Sequence, residues 1–161
     1  MLPPLAVAGG VLPGARRARA APRRLPPEAS AEVLRKSDAA LGKRLEEWEA
    51  LQAKGGGEVQ LALKKSLTDL SAAMKSRIED DPDPDLMEQM ETVEDRRSQA
   101  DFLAYSSVFC GTSAGGGTSG GVQSSTSGQG LRCDLRFLED CRKTVVTLRE
   151  DVQKFNKLAG V

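Results

Sequence analysis

Residues 138–160, LEDCRKTVVTLREDVQKFNKLAG, place Leu138, Cys141, Val145, Leu148, Val152, Phe155 and Ala159 at alternating steps of three and four. That is the seam of a heptad helix, with Leu138, Val145, Val152 and Ala159 in one row and Cys141, Leu148 and Phe155 in the other. An apolar repeat of 3.5 residues implies a left-handed supercoil with a neighbouring helix. Carried back to Leu131, across the single interruption at Asp134, the seam predicts a helix over 131–159. Glu139 with Lys143 and Glu150 with Lys154 brace its outer side at the favourable four-residue offset, and Gly160 ends it. Leu135, Phe137 and Leu158 broaden the stripe, so more than one neighbouring helix is expected.

Upstream lies CGTSAGGGTSGGVQSSTSGQG, residues 110–130, uncharged and rich in glycine. Such a tract cannot bury enough apolar surface to order itself. It predicts a flexible linker with a span of roughly 25 Å, leaving the C-terminal helix loosely tethered. It has no lysine, so it is not a P-loop.

Proline is confined to residues 3–27 and to Pro82 and Pro84, which frees two long stretches for helix. Leu34, Leu41, Leu45, Trp48 and Leu51 share one face of a helix over 28–54 that tolerates Gly42 and ends at Gly55, Gly56 and Gly57. Val59, Leu63, Leu67, Leu70, Met74 and Ile78 mark a second, over 58–79. So short a joint predicts an antiparallel hairpin with the two leucine faces together. The third helix, 84–109, has a stripe of Leu86, Met90, Val93, Ala100 and Leu103 interrupted by Arg97. That arginine either snorkels or pairs with an acid on a partner.

Asp81, Asp83 and Asp85 alternate like the first ligands of a calcium loop, but Leu86 and Thr92 stand where that loop needs glycine and glutamate. The better reading makes Asp83 the cap of a helix whose first residue is Pro84. No metal, cofactor or small-molecule substrate is expected.

The fold class is therefore all-α: a helical hairpin, a third helix and a C-terminal coiled-coil helix on a Gly/Ser linker. Two arrangements of the C-terminal stripe are open. It closes a four-helix bundle within the chain, or it joins helices of partner proteins. Only four Phe, one Trp and one Tyr are available to fill a core, and this, with the long tether, favours partners. On that reading Leu138, Cys141, Val145, Leu148, Val152 and Phe155 are the partner-binding residues.

Function classes narrow by what the chain lacks. Without histidine there is no Ser-His or Cys-His nucleophile and no histidine-ligated zinc, so a non-enzymatic subunit or adaptor of a hetero-oligomeric complex is expected. Three cysteines without a CxxC motif fit a reducing compartment, with Cys141 a small buried hydrophobe. Cys133 and Cys141 would stand roughly 12 Å apart on one helix, too far to bridge.

Residues 1–27 hold five arginines and no acid, and they are expected to be disordered. They read as a cleaved mitochondrial import signal, a basic nuclear-localising segment or a plain tail. Pro3, Pro4, Gly9, Gly10 and Pro13 work against the amphipathic helix an import signal needs. The location expected is intracellular, cytoplasmic or nuclear, with mitochondria as the alternative; there the chain would be an assembly or chaperone-like factor. Residues 28–161 carry 18 basic against 23 acidic residues and no interleaved aromatic and basic pattern, so nucleic acid is not the expected partner. No stretch is apolar enough to span a membrane.

Overall fold

A computed structural model describes residues 24–110 and 133–161, all of whose regular structure is helical. The expectations for residues 1–23 and for most of the linker tract fall outside the described residues. The helices are α1 (Pro27–Glu46), α2 (Trp48–Lys54), α3 (Gly56–Ser66), α4 (Leu70–Asp80), α5 (Pro84–Phe109) and α6 (Cys133–Leu158).

Helices α1 and α2 form nearly one rod, with the Leu51 amide donating to the Glu47 carbonyl across the irregularity. The glycine joint follows. Gly55 holds φ at 103°, a conformation natural to a residue without Cβ. Gly56 touches α5 so closely that a Cβ there would lie 2.7 Å from the Ala104 carbonyl oxygen. The hairpin is thereby both turned and pressed onto the third helix.

The expected helix 58–79 is instead two. Leu67 leaves helical geometry and Asp69 adopts a left-handed conformation at φ 64°. Aspartate tolerates that region better than most residues. The kink keeps Leu67 and Leu70 both in the core, which is why the apolar spacing alone reads straight through it. At the next turn Asp83 caps α5 as expected, its carboxylate accepting from the Asp85 amide at 2.9 Å with Pro84 in the first helical position.

Side-chain contacts give the topology. Arg44 of α1 donates to Ser66 of α3, and the Leu25 amide to Ser76 of α4, so the second rod runs antiparallel to the first. Gln60 of α3 donates to Asp101 of α5 and Arg97 of α5 to Ser71 of α4, so α5 returns antiparallel to the second rod. Along α5 runs α6, the Cys141 thiol donating to the Ala100 carbonyl and Gln89 to the Asp151 carbonyl. On its other side α6 meets α1, where Arg149 donates to Asp38 at 2.9 Å and Asn156 to the Leu34 carbonyl. The result is an up-down-up-down four-helix bundle closed by α6.

Two features of this closure correct the sequence reading. Cys110, just past α5, is joined by a disulfide to Cys133 at the start of α6, with their Cα atoms 5.6 Å apart. The start of α6 is thereby fastened to the end of α5, and of the three cysteines only Cys141 keeps a free thiol, where the sequence reading had expected no bridge. Arg97, left open above, pairs within the chain: it donates to Ser71 and lies 4.0 Å from Glu94. At Gly42 the Arg149 guanidinium lies across α1, 2.8 Å from where a Cβ would stand, so a larger residue there would displace the end of that side chain.

Candidate interaction surface

The six residues assigned to a partner lie inside the bundle. Leu138, Cys141, Val145, Leu148, Val152 and Phe155 are each at most 1% exposed, and all belong to the one core cluster. Thr144 and Asn156 are buried beside them, the widening that lets one helix face both α1 and α5. A partner would reach this stripe only by prising α6 away. In the folded chain it serves as packing surface.

Cys141 belongs with the packing residues too. Burial, with the nearby Asp101 carboxylate adding to it, pushes its thiol up to about 12. A thiol in that state is protonated and enclosed, so it is no nucleophile.

The far side of α5 carries a cluster of exposed large side chains. The inward face of its C-terminal half is made of Ala100, Ala104 and Ser107, small residues that allow the close approach of Gly56 and Cys141. Leu103 packs against the core from the side, whereas the aromatic side chains there point outward: Phe102 is 64% exposed, Tyr105 50% and Phe109 53%. They follow one another at steps of three and four and therefore share a face, and the Tyr105 and Phe109 rings sit 4.7 Å apart. Continued toward the N-terminus, the same face passes through Ser98 to Asp95, Glu91 and Glu88, all exposed. The two arginines of the helix leave it to the flanks, Arg96 toward Asp151 and Arg97 toward Ser71.

This face is thus half acidic and half aromatic. A groove of about 370 Å³ between α3 and α5 opens along its flank, where Lys64, Ser98 and Asp101 contribute to the lining. Half-exposed aromatic rings of roughly 150–250 Å² each amount to about 300 Å² of apolar surface, within the range of patches that carry function on single-chain proteins.

The sequence contained this signal. Residues 88, 91, 95, 98, 102, 105 and 109 form a second regular stripe on α5, opposite its core stripe, and the acidic first half hides the apolar second half from a search for apolar spacing. Among the described residues no group of acidic and sulfur-bearing side chains is arranged to hold a metal ion, and Asp83 is committed to its helix cap. Nor is any described helix long and apolar enough to cross a membrane. Comparison of the chain with protein-family models, curated proteins and solved structures finds no match.

Proposed function

We propose that the chain is a non-enzymatic helical subunit or adaptor that binds another helical protein through the outer face of α5. The single observation that carries this reading is the outward placement of Phe102, Tyr105 and Phe109, half of the chain's aromatic side chains, on a bundle whose core is short of them. Aromatic residues supply most of the energy of protein interfaces, and leaving three of them in water has no packing benefit. The acidic half of the face selects a partner that presents basic residues beside an apolar ridge. Heptad pairing of α6 with a foreign helix would require the bundle to open first.

A second reading has its own support. A disulfide between Cys110 and Cys133 persists in an oxidising compartment and not in a reducing cytosol. With the acid-free, arginine-bearing N-terminus, this favours an assembly factor of an organelle over a cytoplasmic or nuclear subunit. Both readings use the same surface.

The test replaces Phe102, Tyr105 and Phe109 together by serine in the full chain. The fold stays within about 0.5 kcal/mol of the original, because exposed side chains contribute little to stability. Cross-linked partner, quantified by mass spectrometry, falls at least about tenfold, in line with loss of aromatic anchors. Undiminished partner recovery with this variant would end the proposal.

A further inference from the structure

We infer that the Cys110–Cys133 bridge is a redox-sensitive latch on one end of the bundle. While it is closed, the first two turns of α6 stay seated; once a dithiol reductant opens it, those turns come away and the rest of α6 remains in place. The latch operates independently of the docking face proposed on α5.

Helix α6 is held unequally along its length. Its C-terminal half is fixed to both neighbours by polar contacts as well as by packing. Arg149 and Gln153 both donate to the Asp38 carboxylate of α1, and Asn156 donates to the Leu34 carbonyl. On the other side the Asp151 carbonyl accepts from Gln89 of α5, and its carboxylate lies 3.4 Å from Arg96. Val145, Leu148, Val152 and Phe155, each at most 1% exposed, fill the space between.

The N-terminal end is built differently. From Cys133 to Asp140 only Leu138 is buried; Cys133, Asp134, Leu135 and Phe137 are half-buried, and Arg136 and Asp140 are exposed. The buried residues of α5 at this end, Ala100, Ala104 and Ser107, are small and offer little apolar area. A segment with few buried apolar contacts opens locally at a lower cost than the whole fold. The bridge stands at the outer limit of this thin contact, between the residue after α5 and the first residue of α6. A cross-link so placed removes most of the open conformations, just as it restricts an unfolded chain.

Both bridge cysteines are half-buried, so a small dithiol reaches them. One of its thiolates attacks a bridge sulfur, and the other protein sulfur leaves as a thiolate. The second thiolate of the reductant then displaces the protein from the mixed disulfide. The reductant ends as a disulfide, having given up two electrons and two protons, and Cys110 and Cys133 end as thiols that have taken them up. Cys141, with its buried thiol on the Ala100 carbonyl just past Leu138, reports whether this end is seated.

The experiment is hydrogen exchange by mass spectrometry on the full-length chain, oxidised and in dithiothreitol. It compares the amides of Leu138–Cys141 with those of Val152–Phe155. In the oxidised chain the two segments should exchange equally slowly. In the reduced chain the first should exchange at least about tenfold faster than the second, as local opening requires, while helical circular dichroism is largely kept. The Cys110→Ser, Cys133→Ser double variant should show the same contrast without reductant and not respond to it. Its Cys141 should react with iodoacetamide at least about tenfold faster than in the oxidised chain, at a rate almost unaffected by low urea, because a small opening exposes little surface.

Equal exchange of the two segments in the reduced chain overturns the inference. So does Cys141 labelling that climbs with urea as steeply as global unfolding does, or loss of most of the helical signal on reduction. Either result would make the bridge a support of the whole bundle and not a latch on one end. Three free thiols in the chain purified under air would dispose of the latch altogether.

Discussion

Val152→Asp is expected to unfold the whole chain, whether or not a partner is present. The side chain is 1% exposed and sits in the seam of α6, inside the cluster that unites all the rods of the bundle. An ionised carboxylate there has no counter-charge, and removing it from water costs several kcal/mol. Total stabilities of small domains are only about 5–15 kcal/mol, so this one change consumes a large share. Val145→Asp is equivalent, being wholly buried one heptad earlier. Helical circular dichroism and thermal unfolding measure the outcome. Val146→Asp, next to it but 42% exposed, is the control and should shift stability by no more than about 0.5 kcal/mol. A folded, soluble Val152→Asp chain would mean that α6 is not held as described.

Replacing Cys110 or Cys133 by serine should cost about 3 kcal/mol. The disulfide joins residues 23 apart in sequence, and closing a loop of that length removes about this much entropy from the unfolded chain. The link also fastens the end of α5 to the start of α6, where the two antiparallel helices meet. Urea unfolding of the oxidised chain, the serine variant and the reduced chain gives the comparison. Reductant should bring the original chain down to the midpoint of the variant and leave the variant itself unmoved. Identical midpoints for all three would show that the bridge does not form in solution.

What the sequence discloses and what it hides divide along physical lines. Features coded by neighbouring residues are visible: the heptad of α6, the glycine joint of the hairpin, and Asp83 with Pro84 at the start of α5. Each depends on spacing or on one residue's backbone preference. The kink at Asp69 is hidden, because Leu67 and Leu70 keep the apolar period while the backbone departs from it. Cys110 and Cys133 lie far apart along the chain, and an uncharged glycine tract between them suggests separation, whereas the bundle brings their Cα atoms to 5.6 Å.

The destination of the α6 stripe is the deepest of these ambiguities. A heptad seam states that a helix will be covered and not by which chain. Scarcity of aromatic residues pointed to foreign helices, yet the core is filled chiefly by leucine, valine and alanine from the chain's own rods, with Trp48 and Phe155 the only aromatic members of its buried cluster. The core holds still fewer than composition allows, since three of the six aromatic residues face outward on α5. Composition recorded their number, and only the fold reveals their direction.

The apolar stripe of α6 is covered by the other helices of the same chain. Amide hydrogen exchange on the free, full-length chain at dilute, monomeric concentration reads this cover residue by residue. Amides between Leu138 and Phe155 are expected to exchange only through global unfolding, as slowly as those around Val93 and Ala100 in α5. Exchange of the α6 amides within seconds in the free chain, slowed only when a binding protein is added, would contradict the claim.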